Sequence, residues 1–413
     1  MKTSFELAAA AAAMSLIAGT SAQQFVMYTP GGDDTAVERS DPIISPGELS
    51  AHVHQFFGSG AFKPNLNYDE LVRGDCTTVG DASGNSNAQD HSVYWHPAMY
   101  AEKNDGNGYL KVPTNGHKLY YQDAGSGSKR EPFEFPHGFR MIAGDPYRRA
   151  AHGDYRRDIT QWVCHDSSGA KYGNDGAFPT GVSNCDSFLG LNGHIHFPHC
   201  WNGEDYNPAN PHAHMAYPEG NVAHGECPSS HPTRLPHIFI ENSFNLNKVA
   251  DQVKPDSFVL AQGDDTGFGW HADFFNGWED GAIPSLFECP QGNYGNHDVG
   301  TCPQFRRGSR NSNCQLRTTF HEETSNPGNN LPGCNPVSSS NPAPRLPVAG
   351  LGVATNSCGA RRSVFDRAEE SPIQVQHTTL VTATRTSTAT VTPSAEAVHA
   401  HMHAHGHAHG RHH

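Results

Sequence analysis

No stretch of this 413-residue sequence reaches the ~20 consecutive apolar residues that a membrane-spanning helix needs, and no hydrophobic C-terminal tail offers a lipid anchor. GxSxG, P-loop, GxGxxG and HExxH patterns are all missing, which removes the easily read hydrolase, nucleotide-binding and zincin classes. There is no CxxC and no zinc-finger spacing, and no Asn-x-Ser/Thr sequon, so no N-linked sugar is expected. Basic residues are scarce: 28 Lys+Arg against 42 Asp+Glu leave a formal charge of −14, without any basic run. That balance argues against a nucleic-acid partner and against an anionic membrane surface. Long helices are excluded as well, because 42 glycines and 29 prolines interrupt the chain throughout.

What remains is histidine-rich and cysteine-bearing. The 28 histidines equal the Lys+Arg count, so acid and transition metals should both act strongly on this chain. Lys2, the small apolar run Leu7 to Ala18 and Thr20-Ser21-Ala22 read as a secretory signal peptide over 1–22, cleaved before Gln23. The chain is expected to be secreted, and ten cysteines then favour disulfides over reactive thiols. Strand signals such as His91 to Tyr100, Tyr109 to Val112 and His237 to Glu241 lie between Gly, Pro, Asn and Asp. Residues 23–305 are therefore expected to form one mainly β, sandwich-like domain with long loops and a few short helices, the best helical candidate being Ser243 to Val253. An irregular cysteine-containing extension follows over 306–358, then a Ser/Thr-rich linker over 359–398 and a histidine-rich, disordered tail over 399–413. In that tail His401, His403, His405, His407 and His409 alternate with Ala, Gly or Met, a spacing that lets neighbouring imidazoles close on one zinc or copper ion.

Within the domain, histidines cluster beside polar partners. His52-Val53-His54 and His194-Ile195-His196 each send two rings to one face if they lie on strands, the simplest way to offer a metal two nitrogens. His271 and Asp273 have the same i, i+2 relation, so the carboxylate could ligate or orient an imidazole. Asp145, before a proline, and Asp273 with His271 are the acid/base candidates. Tryptophans interleave with these clusters, as in sugar-binding clefts, although core packing accounts for most tryptophans.

The segments Asp41 to Gly47, His52-Val53-His54, Tyr94-Trp95, Phe135 to Met141, Ala143 to Pro146, Cys200 to Gly203, His214 to Pro218, Cys227-Pro228, His231-Pro232, Gly267 with Gly269, and His271 to Trp278 occur in unbroken order. Together they resemble the secreted fungal family called domain of unknown function 1996. The resemblance implies an extracellular polysaccharide or cell-wall setting but no reaction. It ranks His52, His54, His214, His231 and His271 above His137, His194, His196, His199 and His212. One departure stands out: relatives carry a cysteine in the strand before Asp-Pro, and Gln24 to Tyr28 has none. Seven cysteines then fall in the domain and three in the extension. Both counts are odd, so if all ten pair, five disulfides form and at least one joins the two parts.

These readings converge on a polysaccharide-binding or polysaccharide-acting protein, hydrolytic or eliminative if it is an enzyme, with a non-catalytic zinc- or copper-binding or cell-wall protein as the alternative. The expected site gathers His52, His54, His214 and His271 around a divalent metal, with Asp273 as ligand or proton carrier. Trp95 or Trp278 is the expected sugar platform, with Asn276 and Arg140 as further substrate contacts.

Overall fold

The computed structural model describes residues 23–31, 36–182, 184–186, 189–292, 296–345, 348–350 and 358, all within one compact unit, Met1–Ser363. The leader-like segment, the Ser/Thr linker and the histidine tail, with His401, His403, His405, His407 and His409, lie outside the described residues.

The described chain is mainly β. Its two largest sheets are built from twelve strands: β1 (Gln23–Tyr28), β2 (Val37–Asp41), β3 (Ser45–Gly58), β4 (Val93–Pro97), β5 (Thr114–Asp123), β6 (Arg140–Gly144), β7 (Thr160–Asp166), β8 (Gly169–Tyr172), β9 (Leu191–His196), β10 (His237–Phe244), β11 (His271–Phe275) and β12 (Asn296–His297). A seven-stranded sheet runs β8-β7-β9-β10-β5-β1-β12 and a five-stranded sheet runs β6-β11-β4-β3-β2. All pairings in them are antiparallel except β1 with β12. Smaller sheets of four, three and two strands and short helices such as Tyr68–Leu71 and Ala282–Leu286 fill the connections.

The two large sheets face one another across the main core. Phe57 of β3 stacks on His117 of β5 at 3.8 Å between centroids, and the Tyr94 and Tyr121 hydroxyls hydrogen-bond across the gap. Trp162, Ile195, Ile240 and Phe244 from the larger sheet meet Met141, Ala143 and Phe274 from the smaller. Alternation in β5 and β10 leaves their other side chains half-buried on an outer face. In contrast β4 and β11 are buried at every residue, because a second cluster covers the outer face of the smaller sheet. There Phe56, Val93, Trp95, Ile142 and Phe275 pack under Ile43, Phe62, Leu66 and Leu316.

Leu316 belongs to the extension, which is fastened over this face. Cys76–Cys314 joins it to the domain, and Glu38 accepts from the Thr319 and Phe320 amides at 2.6 and 2.7 Å. Arg39 pairs with Glu322 at 2.6 Å, and Asn335 Nδ2 donates to the Ala51 carbonyl. The remaining bridges are Cys164–Cys185, Cys200–Cys227, Cys289–Cys302 and Cys334–Cys358, so all ten cysteines are paired.

The helix expected over Ser243 to Val253 is not formed. Ser243 pairs with Asn192 and Gly116 at the end of β10, a single 3-10 turn spans Leu246–Lys248, and Val253 opens another strand. Strand pairing on both sides outweighs a segment too short to repay helix nucleation.

Candidate metal centre

β3 alternates, so His52, His54 and Phe56 share the covered face of the smaller sheet while Phe57 points into the main core. β11 places His271, Asp273 and Phe275 on the same face. Phe56 and Asp273 both pair with Trp95 of β4, and His54 pairs with Pro97. Continuing that register by one side-chain pair sets His271 level with Pro97 as well, so two imidazoles flank one proline. On the far side of His271 stands Gly144 in β6, at φ 76°; a Cβ there would lie 2.3 Å from the Trp270 carbonyl oxygen. Glycine is required for β6 to approach His271 this closely.

His52, His54 and His271 each contribute one ring nitrogen to a set lying within 4.8 Å of one another, the only such group of three His, Cys, Asp or Glu among the described residues. All three rings are buried. His54 Nδ1 donates to the Ser40 carbonyl at 2.7 Å and His271 Nδ1 donates to the Gly269 carbonyl at 2.8 Å. Since a carbonyl can only accept, both neutral rings keep a bare Nε2 lone pair. The His54 Nε2 is buried without a partner, and the His271 Nε2 lies 3.1 Å from the His52 Nε2. An ion with bonds near 2.05 Å in tetrahedral geometry spaces its ligands about 3.3 Å apart, so this separation suits a shared ion. Backbone carbonyls holding the Nδ1 protons are the second-shell arrangement that fixes a ligand's tautomer. Burial, then the neighbouring imidazoles, lowers His52 and His54 well below the usual histidine range. Burial brings His271 down to about 4, against a partial upward pull from its own carbonyl bond. Neutral imidazole is the ligating form.

His214 stands apart from this set. Its Nε2 donates to the Arg140 carbonyl at 2.8 Å, and its ring packs against Phe139 and Tyr206. Asp273, two residues along the strand from His271, is outside the set too. Its Oδ2 is buried without a partner, and burial followed by the charge of Asp41 raises its carboxyl. Asp145 is half-buried, accepts from the Tyr147 amide at 2.9 Å, and acts electrostatically on His271.

Two expected sugar platforms must be corrected. Trp95 and Trp278 are 0% and 3% exposed. Trp95 lies beneath the second core cluster, and Trp278 donates from Nε1 to the Tyr121 hydroxyl, so neither ring faces solvent. Asn276 is likewise spent on backbone, donating to the Pro136 carbonyl and accepting from the Trp278 amide. The Arg140 guanidinium lies over the Tyr206 and Phe275 rings at 4.9 and 5.4 Å.

Sequence reasoning passed over Asp41 as a site residue. It caps the turn to Ile43 and Ile44, and burial pushes it up to about 6 beside Asp273; its sequence signal is its place at the head of the first family-like segment, Asp41 to Gly47. A second buried pair, His96 and His117, joins Nε2 to Nε2 at 2.9 Å between the sheets. A third cluster brings His196, His199 and His237 together by ring stacking and a 3.2 Å contact between His196 Nδ1 and His237 Nε2.

The described opening onto the triad is small. A cavity of about 30 Å³ touches His52, Tyr147 and Gln262 on the domain side, and Asn335, Ser338 and Pro344 of the extension close it. That space holds about one or two waters. No helix among the described residues is long and apolar enough to cross a membrane.

No curated protein and no solved structure matches the chain. The model of the family described as Domain of unknown function (DUF1996) matches residues 41–278, which contain all three histidines of the triad, and the chain belongs to that family.

Proposed function

We propose that this is a secreted metal-binding protein that holds one zinc or copper ion on His52, His54 and His271 and works on or against extracellular polysaccharide. The observation that carries the metal reading is the pair of Nδ1 protons committed to carbonyls, which turns bare Nε2 atoms of buried histidines toward one another. Five disulfides support an oxidising compartment. An ion held by these three nitrogens would have room for a further ligand toward the small cavity at His52, where it would supply Lewis acidity. Asp145, half-buried and near enough to influence His271 electrostatically, is the acid/base candidate for this reading. A sugar ring does not fit the cavity as closed by residues 335–344, so chemistry on a polymer at the ion requires that cover to lift.

A second reading has its own support: 3.1 Å between the His52 and His271 nitrogens is also an ordinary hydrogen bond, as in a buried network that only rigidifies the sheet. Metal analysis separates the two. A chain ending at Ser363, which removes the tail histidines, should retain about one equivalent of zinc or copper after dialysis. His54→Ala and His271→Ala should each lower the affinity at least about 100-fold. A metal-free wild-type chain, or variants that keep the ion, would leave only the hydrogen-bonded network.

A further inference from the structure

The outer face of the seven-stranded sheet carries an arrangement that the metal centre does not use. Register sets His196, Phe239 and Tyr120 in one row across β9, β10 and β5, and His194, Glu241 and Lys118 in the next. Phe239 stacks on His196 at 4.3 Å and meets Tyr120 at 5.3 Å. Tyr172 of β8 pairs with Val163, which pairs with Asn192, so it stands on this same face one row further on. At 60% exposure Tyr172 is the one exposed aromatic side chain among the described residues. Beside it opens a cleft of about 450 Å³ lined by Arg157, Asp158, Gln161, Asp175, His194 and His196. Gly173 and Gly176 form part of its wall, at positions where a Cβ would strike the Ala177 carbonyl or the Thr160 hydroxyl.

We infer that this cleft and its bordering rings bind a neutral oligosaccharide. The charges on this face are matched among themselves. Arg157 lies 3.7 Å from Asp175 and 3.9 Å from Asp158, and Lys118 pairs with Glu241 at 2.9 Å. The cleft thus holds two carboxylates to one guanidinium, which disfavours a phosphate or a polyuronate and leaves acceptors and donors for hydroxyl groups. Exposed or half-buried rings beside such groups suit a ligand with one apolar face and a hydroxyl-bearing edge, which describes a pyranose. A protein partner would want a wider apolar centre than three half-buried rings bounded by ion pairs. The inference rests on the polysaccharide reading above and moves its contact surface from the buried tryptophans to the open sheet.

Affinity electrophoresis and titration calorimetry of the full chain test it, with laminarin, soluble xylan and galactomannan as neutral probes and polygalacturonate as the charged one. At least one neutral probe should bind, and Tyr172→Ala should weaken it about tenfold without moving Tm, since its side chain is exposed. Gln161→Ala should weaken it several-fold, and Lys63→Ala, which breaks only an exposed ion pair with Glu70, should leave it unchanged. Neutral binding that survives both cleft variants, binding lost equally in Lys63→Ala, or binding of polygalacturonate alone overturns the cleft assignment while the polysaccharide reading stands. No binding of any probe overturns both.

Discussion

The two large sheets share one core and differ in what lies on their backs. Behind the five-stranded sheet a second apolar cluster and the disulfide-fastened extension cover three buried histidines and leave only a small cavity at His52. Behind the seven-stranded sheet, rings and paired charges of the same kinds of residue remain half-exposed. The same side chain therefore means different chemistry on the two faces. A histidine under cover is held neutral and aimed by carbonyls, as His54 is. A histidine on the open face becomes part of a polar wall, as His194 does. Burial, more than residue type, separates the candidate metal centre from the candidate ligand surface.

The largest expected difference is in the cost of losing a ring. Trp95→Ala on the covered face should cost about 3–5 kcal/mol of folding stability, because a fully buried indole leaves a cavity its neighbours cannot fill. Phe239→Ala on the open face should cost about 1 kcal/mol, since the half-buried ring packs against Tyr120, His194 and His196 in a wet setting. Denaturant unfolding of both variants measures this, and equal costs would erase the distinction between the faces.

The distinction was only partly legible in the sequence. Spacing in His52-Val53-His54 and the pairing of His271 with Asp273 placed those side chains correctly on one face, because a strand's period of two is a local property. Legible in the same way were the strand signals around His91 to Tyr100 and His237 to Glu241. The cover was not legible. Trp95 sits in a run, Val93-Tyr94-Trp95-His96-Pro97, that reads alike for a solvent-facing platform and for a strand buried on both sides. Which applies depends on Leu316 and residues 335–344, more than two hundred positions away. His214 failed for a related reason, since its loop returns to the Arg140 carbonyl and stops short of the triad. Pro97, which brings His54 and His271 level, carries no chemistry that would single it out.

A smaller effect is expected from releasing the cover. Cys76 and Cys314 close a loop of 238 residues, and replacing both by serine should lower stability by about 2–4 kcal/mol. Hydrogen exchange should then rise in residues 314–345 and around His52, while β5 and β10 on the open side keep their protection. Uniform deprotection of both sheets would show that the extension stabilises the whole domain and does not act as a cover for one face.

The layer between the sheets supplies the smallest effect, through pH. His96 Nδ1 donates to the Pro97 carbonyl at 2.9 Å, so its Nε2 accepts from His117 Nε2. His117 in turn accepts at Nδ1 from the Thr29 hydroxyl, which itself accepts from the His117 amide. Every proton in this chain is placed with both rings neutral. Phe57, Phe244 and Trp270 surround His96, and His271 repels any charge on it. Burial lowers its folded pKa to about 4 from the reference 6.5. Above pH 6.5 neither state carries the extra proton and the full stability is present. As pH falls below 6.5 the unfolded chain takes up the proton first and stability drops, and the loss levels off below about 4, where both states are charged. Between pH 7 and pH 5 this group should account for about 2 kcal/mol. His96→Gln keeps an acceptor for His117 and cannot titrate, so its unfolding free energy should fall by about that much less over the same interval. Identical pH slopes for the two proteins would mean that the layer between the sheets admits the charge, and that the core is less closed than either cluster of buried rings implies.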